Sequence, residues 1–275
     1  FPRSPPRHMP TATDARGRSV SLQRPPRRIV SLVPSQTELL AHLGLDETVV
    51  GITRFCERPS HWRSEKTNVG GTKEVDVDRV AELDPDLILA NHEENTAADV
   101  EALDPIAPVF VTEVKTVTEA LDMIRTVGTL TASTDQTSTL AGQIVSRFSQ
   151  LPDFAPLTTV YLIWREPYMT VGGDTFIHDV MSWGGFENAY GGQTRYPEVS
   201  LSALTERELD VVLCGSEPFP FHQKDAFTEE LREALPNTPV EVVDGQPFSW
   251  YGPRLLDTPS YLTELRETLP APRTV

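Results

Sequence analysis

Apolar and polar residues follow two periods along this chain, and both meet in Arg28–Ile52, RIVSLVPSQTELLAHLGLDETVVGI. Ile29–Val33 is a nearly continuous apolar run, as expected of a strand buried on both faces. Pro34 ends it. Ser35-Gln36-Thr37-Glu38 fits the S/T-x-x-E capping box, in which Ser35 bonds a free helix N–H and Glu38 reaches back. Leu39, Leu40 and Leu43 then form one helical stripe, and Gly44 suits a left-handed helix end. Val49–Ile52 supplies the next strand. This is a β-α-β unit, two parallel strands joined by a helix, with the right-handed crossover such units adopt. Ligands of open α/β sheets bind beyond the carboxyl ends of such strands.

The same alternation continues. Before the unit, residues 1–13 read as a disordered extension, and Asp14–Leu22 as a turn followed by a short edge strand. After it, Asp76–Leu83 predicts a helix, Leu87–Ala90 a buried strand, Ala97–Leu103 a helix, Val109–Val111 a strand and Thr118–Leu130 a helix. Ser133–Leu151 is a second amphipathic helix in direct succession, with Leu140, Ile144, Phe148 and Leu151 at helical spacing. No strand interrupts the two patterns, so a long stiff segment separates two halves. Thr159–Ile163, Val211–Cys214 and Val240–Val243 are strands of the second half. Its helices follow Gly172-Gly173-Asp174 and cover Ser202–Leu209, Phe227–Leu235 and Pro259–Leu269. The fold class predicted is α/β: two doubly wound lobes, 14–130 and 155–275, joined by one long rigid helix within 131–154.

Charge and cysteine content narrow the function. The chain has 275 residues with 24 Lys+Arg against 40 Asp+Glu, a formal net charge of −16. That argues against nucleic acid or an anionic membrane as partner. The two cysteines, Cys56 and Cys214, lie in different halves, which argues against a disulfide framework. No apolar run is long enough to span a bilayer. The first residues, FPRSPPRHMPTATDARG, are basic and proline-rich without an apolar h-region, so no signal peptide is visible in them.

The unusual side chains gather in five loops: Phe55-Cys56, Asn91–Asn95, Trp164–Tyr168, Arg195-Tyr196 and Trp250–Arg254. Four directly follow predicted strands. Aromatic residues make up 8% of the chain, yet several fall here. Large rings at loop ends are costly to leave in water, so something is expected to cover them. A cleft between lobes lined by such rings and a few arginines suits a flat, partly anionic ligand. Each ring can also be a packing anchor. Gly70-Gly71-Thr72-Lys73 lacks phosphate-loop spacing and reads as a structural turn. No H-E-x-x-H, nucleophile elbow or dinucleotide fingerprint is present.

The order Asp14-x-x-Gly17-Arg18, Pro26-x-Arg28-Ile29-Val30-Ser31-Leu32, Ser35-x-Thr37-Glu38, Leu43-Gly44, Val50-Gly51 and Leu83-x-Pro85-Asp86-Leu87 resembles the cobalamin- and siderophore-type substrate-binding proteins of ABC importers, the helical-backbone metal receptors. The stretches FCERP, VGGTK, ANHEEN, YLIWREPYMTVGGDTFIHD, TRYPEVSL, SEPFPF and FSWYGPRLL resemble one subgroup of them, whose members are labelled cobalamin-binding. The resemblance implies two α/β lobes joined by a rigid helix, with the ligand between them. It implies a binding protein and not an enzyme, without a cofactor of its own, acting as a monomer with an importer permease and without nucleic acid. It also implies a periplasmic or extracytoplasmic location; the sequence leaves a cytoplasmic one open.

By the same resemblance Phe55, Trp164, Tyr196 and Trp250 would supply apolar faces to a corrinoid or other metal chelate, while Thr72 and Asn91 stand where relatives carry further aromatics. Arg165, Arg195 and Arg254 would meet carboxylate or phosphate groups. Asn91, Glu93 and Glu94 would make rim contacts or ligate an exposed metal, and Cys56, Tyr168 and Tyr251 complete the candidate ligand-binding set. Importer docking would use Asp78 on the first lobe. On the second, the matching position falls near Ser202, which is not acidic, so Glu198 or Glu206 would substitute. The rival expectation is an intracellular metal-handling protein or enzyme on this scaffold, built from Cys56, His92, Glu93 and Glu94. Three of these converging on one point would favour it.

Overall fold

The computed structural model describes residues Met9–Ala271 and divides into two compact units. The first holds the chain up to Val114, Thr118–Gln143 and Tyr251–Pro253; the second holds Lys115–Val117, Ile144–Trp250 and the chain from Arg254 on.

In the first unit, β1 (Thr11–Thr13) and β2 (Ser19–Ser21) form an antiparallel hairpin. The expected extension therefore ends before Thr11, and residues 1–8 lie outside the described residues. Asp14 organises the hairpin turn: its buried carboxylate accepts from the backbone N–H groups of Arg16 and Arg18 and from Arg16 Nε at 2.7 Å. Arg16 then reaches Asp104 at 2.9 Å and the Val109 carbonyl at 2.8 Å, tying the turn to the main sheet.

That sheet contains β3 (Ile29–Ser31), β4 (Val49–Ile52), β5 (Thr67–Asn68), β6 (Leu87–Asn91) and β7 (Val109–Thr112). All pairs are parallel, in the order β5-β4-β3-β6-β7. Every residue of β6 is buried, which is why its sequence, LILAN, is almost unbroken hydrocarbon. Helices α1 (Pro34–His42), α2 (Trp62–Glu65), α3 (Val77–Glu82) and α4 (Ala97–Leu103) connect the strands. One face of the sheet packs Val30, Leu32, Ile88 and Val109 against Val80, Val100 and Leu103.

The expected capping box does not form. Helix α1 begins at Pro34 itself, Val33 is its N-cap, and no side chain caps it. Proline at the first helical position has no N–H to satisfy, so Ser35 and Glu38 are not needed there. Gly44 does take the left-handed conformation, at φ 71°.

Helices α5 (Val117–Thr131) and α6 (Thr134–Phe148) follow. They are distinct rods. Ala132 turns left-handed at φ 58°, and Ser133 N–H bonds the Gly128 carbonyl at 2.7 Å, closing the end of α5. Near their junction Gly128 lies against Thr137 so closely that a Cβ would sit 2.0 Å from the Thr137 hydroxyl. Helix α6 ends at Phe148, short of the expected Leu151, and contributes residues to both units.

The second unit is a mixed sheet. It contains β8 (Leu157–Trp164), β9 (Tyr168–Thr170), β10 (Phe186–Asn188), β11 (Glu198–Val199), β12 (Val211–Gly215) and β13 (Val240–Val243). The order is β11-β9-β8-β12-β13, with β10 paired to the start of β8. β8, β10, β12 and β13 run parallel; β9 pairs antiparallel with β8, and β11 pairs antiparallel with β9. Helices α7 (Phe176–Trp183), α8 (Leu201–Thr205), α9 (Ala226–Ala234), α10 (Gln246–Ser249) and α11 (Thr258–Thr268) cover it. Thr175 and Ser200 cap α7 and α8 by accepting from His178 N–H and Ala203 N–H.

Two expectations change here. The helix expected over Ser202–Leu209 stops at Thr205, and Tyr168, expected in a loop, is the first residue of β9. Among the described residues no helix is long and apolar enough to cross a membrane.

Candidate functional site

In the first unit the strand order places the switch point between β3 and β6, whose onward connections leave in opposite directions. The loop after β6 is shaped by its own amides. Asn91 is 2% exposed; its Oδ1 accepts from the Glu93 and Glu94 N–H groups at 2.8 and 3.2 Å, and its Nδ2 donates to the Thr112 hydroxyl at 3.1 Å. Asn95 accepts from Asn91 N–H and donates to the Thr72 carbonyl, each at 2.9 Å. Gln36, fully buried, also donates to Thr112. Asn91 thus shapes the loop from inside, while Glu93 and Glu94 are half-buried and His92 exposed. The Lys73 ammonium donates to the Glu93 carbonyl.

After β4 the chain makes a tight turn. Cys56 plugs its end into the core, fully buried, with Sγ 3.1 Å from the Thr37 hydroxyl and 3.3 Å from that of Thr53. Burial pushes its thiol pKa up, against those two hydrogen bonds. A buried, protonated thiol is neither a nucleophile nor a ready metal ligand. The tip of the turn, Arg54-Phe55, is exposed; Phe55 is 50% exposed, with the Arg54 guanidinium 5.1 Å from its ring centroid. Tyr251, buried, belongs with this unit, and Gly252 next to it lies against the Ser35 carbonyl at the start of α1.

In the second unit, Trp164 ends β8 and is 41% exposed, its indole set edge-on against Phe219 with centroids 5.6 Å apart. Phe219 packs in turn on Phe221 at 4.7 Å and Phe227 at 4.9 Å. Arg165 pairs with Glu166 and with Glu230, at 3.4 Å to the latter. Tyr168 is buried and donates its hydroxyl to Glu230 at 3.0 Å; burial pushes its pKa up to about 12. Trp164, Arg165 and Tyr168 therefore form one cluster with Phe219, Phe227 and Glu230.

Arg195 and Tyr196 lie on another loop, where Arg195 is left-handed at φ 61°, its N–H bonds Asp174, and its guanidinium sits 5.7 Å from the Tyr196 ring. Trp250 is 7% exposed and donates its indole N–H to Glu217. Arg254 is the second residue of a short turn of 3-10 helix over Pro253–Leu256 and is half-buried.

The expected docking acids are all exposed: Asp78 in the first turn of α3, Glu198 on edge strand β11 and Glu206 at the end of α8. Glu198 lines a cavity of about 730 Å³, with Tyr168, Tyr190, Leu201, Arg207 and Glu230 around it.

The rival metal-site expectation gains no support. Among the described residues no three His, Cys, Asp or Glu side chains are grouped to hold an ion. His92 instead lies 3.9 Å from Glu113, and Cys56 is committed to the core. The reading of the sequence passed over Arg54, Glu217 and Phe219. Each stands in a strand-end loop, which is the signal that could have found them.

In both units rings and cations stand in loops at the carboxyl ends of parallel strands, where ligands of α/β proteins bind. Comparison with known proteins agrees. The family described as periplasmic binding protein matches residues 29–240, and the chain belongs to that family. The ABC transporter substrate-binding lipoprotein YvrC of Bacillus subtilis is 26% identical over 269 residues, covering 92% of this chain and 84% of the relative. A vitamin B12-binding protein of Pectobacterium atrosepticum is 25% identical over 242 residues, covering 84% of this chain and 85% of its own. The solved structure of the periplasmic heme-binding protein RhuT from Roseiflexus sp. RS-1 superimposes with a TM-score of 0.75 at 20% identity, over 88% of this chain and 97% of that one. This last likeness bears on the fold.

Proposed function

We propose that this chain is the substrate-binding component of an ABC importer and that it captures a flat metal chelate of the corrinoid or tetrapyrrole type. The observation that carries the reading is the placement of Phe55 and Trp164. Both rings are about half exposed, and each stands at the carboxyl end of a parallel strand, after β4 and at the end of β8. Each has an arginine beside it in sequence, Arg54 and Arg165. Exposed rings on rigid turns bury large apolar area against a flat partner at little entropic cost. Family membership and the named relatives support the same reading.

The chain then acts as a monomeric carrier outside the cytoplasm, without a cofactor of its own and without catalysis. Trp164, Arg165, Arg195, Tyr196 and Arg254 complete the ligand-facing set, and Asp78, Glu198 and Glu206 face the permease. Titration with cobalamin, hemin and ferric siderophores, read by tryptophan fluorescence, tests this. Saturable binding of a corrinoid or tetrapyrrole is expected. Failure of every chelate, alongside tight binding of a bare divalent metal, overturns it.

A further inference from the structure

The turn after β4 holds an arginine in an unusual state. Its two ends are anchored: Thr53 and Cys56 are buried, joined by the Cys56 N–H to Thr53 carbonyl bond at 3.1 Å. Arg54 N–H bonds the Gly70 carbonyl at 2.9 Å, tying the tip to the neighbouring Val69–Lys73 turn. The guanidinium is then bedded on Gly71. A Cβ there would lie 2.8 Å from one terminal nitrogen and 3.0 Å from Cζ, so the glycine provides the space that the guanidinium occupies. Phe55 supplies the other contact, with its ring centroid 5.1 Å from Cζ.

The guanidinium rests on Gly71 and Phe55 with its side chain half exposed, and its donors are unspent. Among the described residues Arg54 makes no side-chain hydrogen bond, and its one ion pair is with Glu74 at 3.7 Å, a side chain 85% exposed. A pair of that length between exposed groups contributes little. Arg165 is different: both of its terminal nitrogens already donate, one to Glu166 and one to Glu230. A planar guanidinium presented on a turn with free N–H groups is suited to two-pronged recognition of a carboxylate or phosphate.

We propose that Arg54 recognises an oxyanion on the edge of the ligand, while Phe55, half exposed beside it, lies against the ligand's flat body. This rests on the flat-chelate reading above and deepens it: the ligand carries a carboxylate or phosphate at its rim, and Arg54 selects for it. Gly71 is a positioning residue, because its missing side chain sets where the guanidinium lies.

The test titrates wild type, Arg54→Gln and Gly71→Ala with two pairs of probes. Hemin carries two carboxylates and its dimethyl ester none; cobalamin carries a phosphodiester and cobinamide does not. Arg54→Gln is expected to weaken the oxyanion-bearing member of the bound pair about tenfold or more, the size of a charge-assisted hydrogen bond, and to change its partner less than about twofold. The hemin and cobalamin arms separate a carboxylate from a phosphate source. Gly71→Ala is expected to shift the same ratio in the same direction, by less. Thermal melts confirm that the variants fold; Arg54 is exposed, so its replacement carries the test if Gly71→Ala does not fold. Equal effects of Arg54→Gln on both members of a pair, or no effect on either, overturn the proposal while wild-type binding keeps the flat-chelate reading. A wild-type protein that binds none of the four probes overturns that reading, and the role of Arg54 with it.

Discussion

Trp250 donates its indole N–H to Glu217 Oε1 across 2.7 Å, and the Ser249 hydroxyl donates to the same oxygen at 2.7 Å. One carboxylate at the end of β12 thus fastens the segment that follows β13 and α10. Glu217→Ala leaves the buried Trp250 N–H without its acceptor, at a cost of about 1–3 kcal/mol, while the Ser249 hydroxyl keeps the Gly245 carbonyl at 2.9 Å. A lowered Tm together with a shifted tryptophan emission is expected. An unchanged Tm would show that the two bonds do not support this segment.

Phe55 and Trp164 behave differently from Trp250 because they are about half exposed. Replacing either by alanine removes little native packing but gives up the area it offers to a flat ligand, about 1.5–3 kcal/mol for a ring that becomes fully covered. Affinity for the bound chelate is expected to fall about tenfold or more, with Tm within a few degrees of wild type. Isothermal titration beside thermal melts separates the two effects. Full affinity in both variants would remove these rings from the site.

Both cysteines are buried and burial raises their thiol pKa values, that of Cys214 to about 12. Neither is expected to react with a thiol reagent in the native protein at neutral pH, and both are expected to react after denaturation. Rapid labelling of Cys56 under native conditions would contradict its place between Thr37 and Thr53.

Burial opposes ionisation of Asp104, but hydrogen bonds from Arg16 and Arg18 outweigh it and hold its carboxyl below the usual range. A folded value below the unfolded one means that the stabilisation is fully present above the unfolded aspartate pKa of about 3.9 and is lost as pH falls through the folded value. Wild type is therefore expected to exceed Asp104→Asn in stability most at neutral pH, with the gap closing in acid. Urea unfolding at several pH values measures it. A gap that does not change with pH would assign the effect to packing.

The contact of Gly128 with Thr137 leaves no room for a methyl group. Gly128→Ala is expected to cost about 1–3 kcal/mol by overpacking, and Thr137→Ala in the same chain to recover part of it. Additive losses in a double-mutant cycle would refute a direct contact.

Much of the architecture can be read from hydrophobic period. The strands at Val49–Ile52 and Val240–Val243 and the helix at Ala97–Leu103 have the expected bounds, because buried strands and one-sided helices write their burial into consecutive residues. Short elements escaped. β5, β10 and β11 have two or three residues each, too few to show a period, and they exist because a neighbouring strand offers hydrogen bonds. The capping box at Ser35 was misleading because Pro34 starts the helix two residues earlier, with Val33 as its N-cap.

The candidate site divides along the same line. Which loops carry rings, cations and acids follows from residue order alone, since a loop must follow each strand. Which of those side chains remain available does not. Asn91, Cys56 and Trp250 turn inward because partners distant in the chain, Thr112, Thr37 and Glu217, hold them. Arg54 stays presented because Gly71 leaves it a bed and its ion pair, with the exposed Glu74, is 3.7 Å long. Hydrophobic period is a property of neighbours in sequence, and it chose the elements. Hydrogen-bond satisfaction depends on neighbours in space, so the folded chain decided which loop residues stay available at the surface.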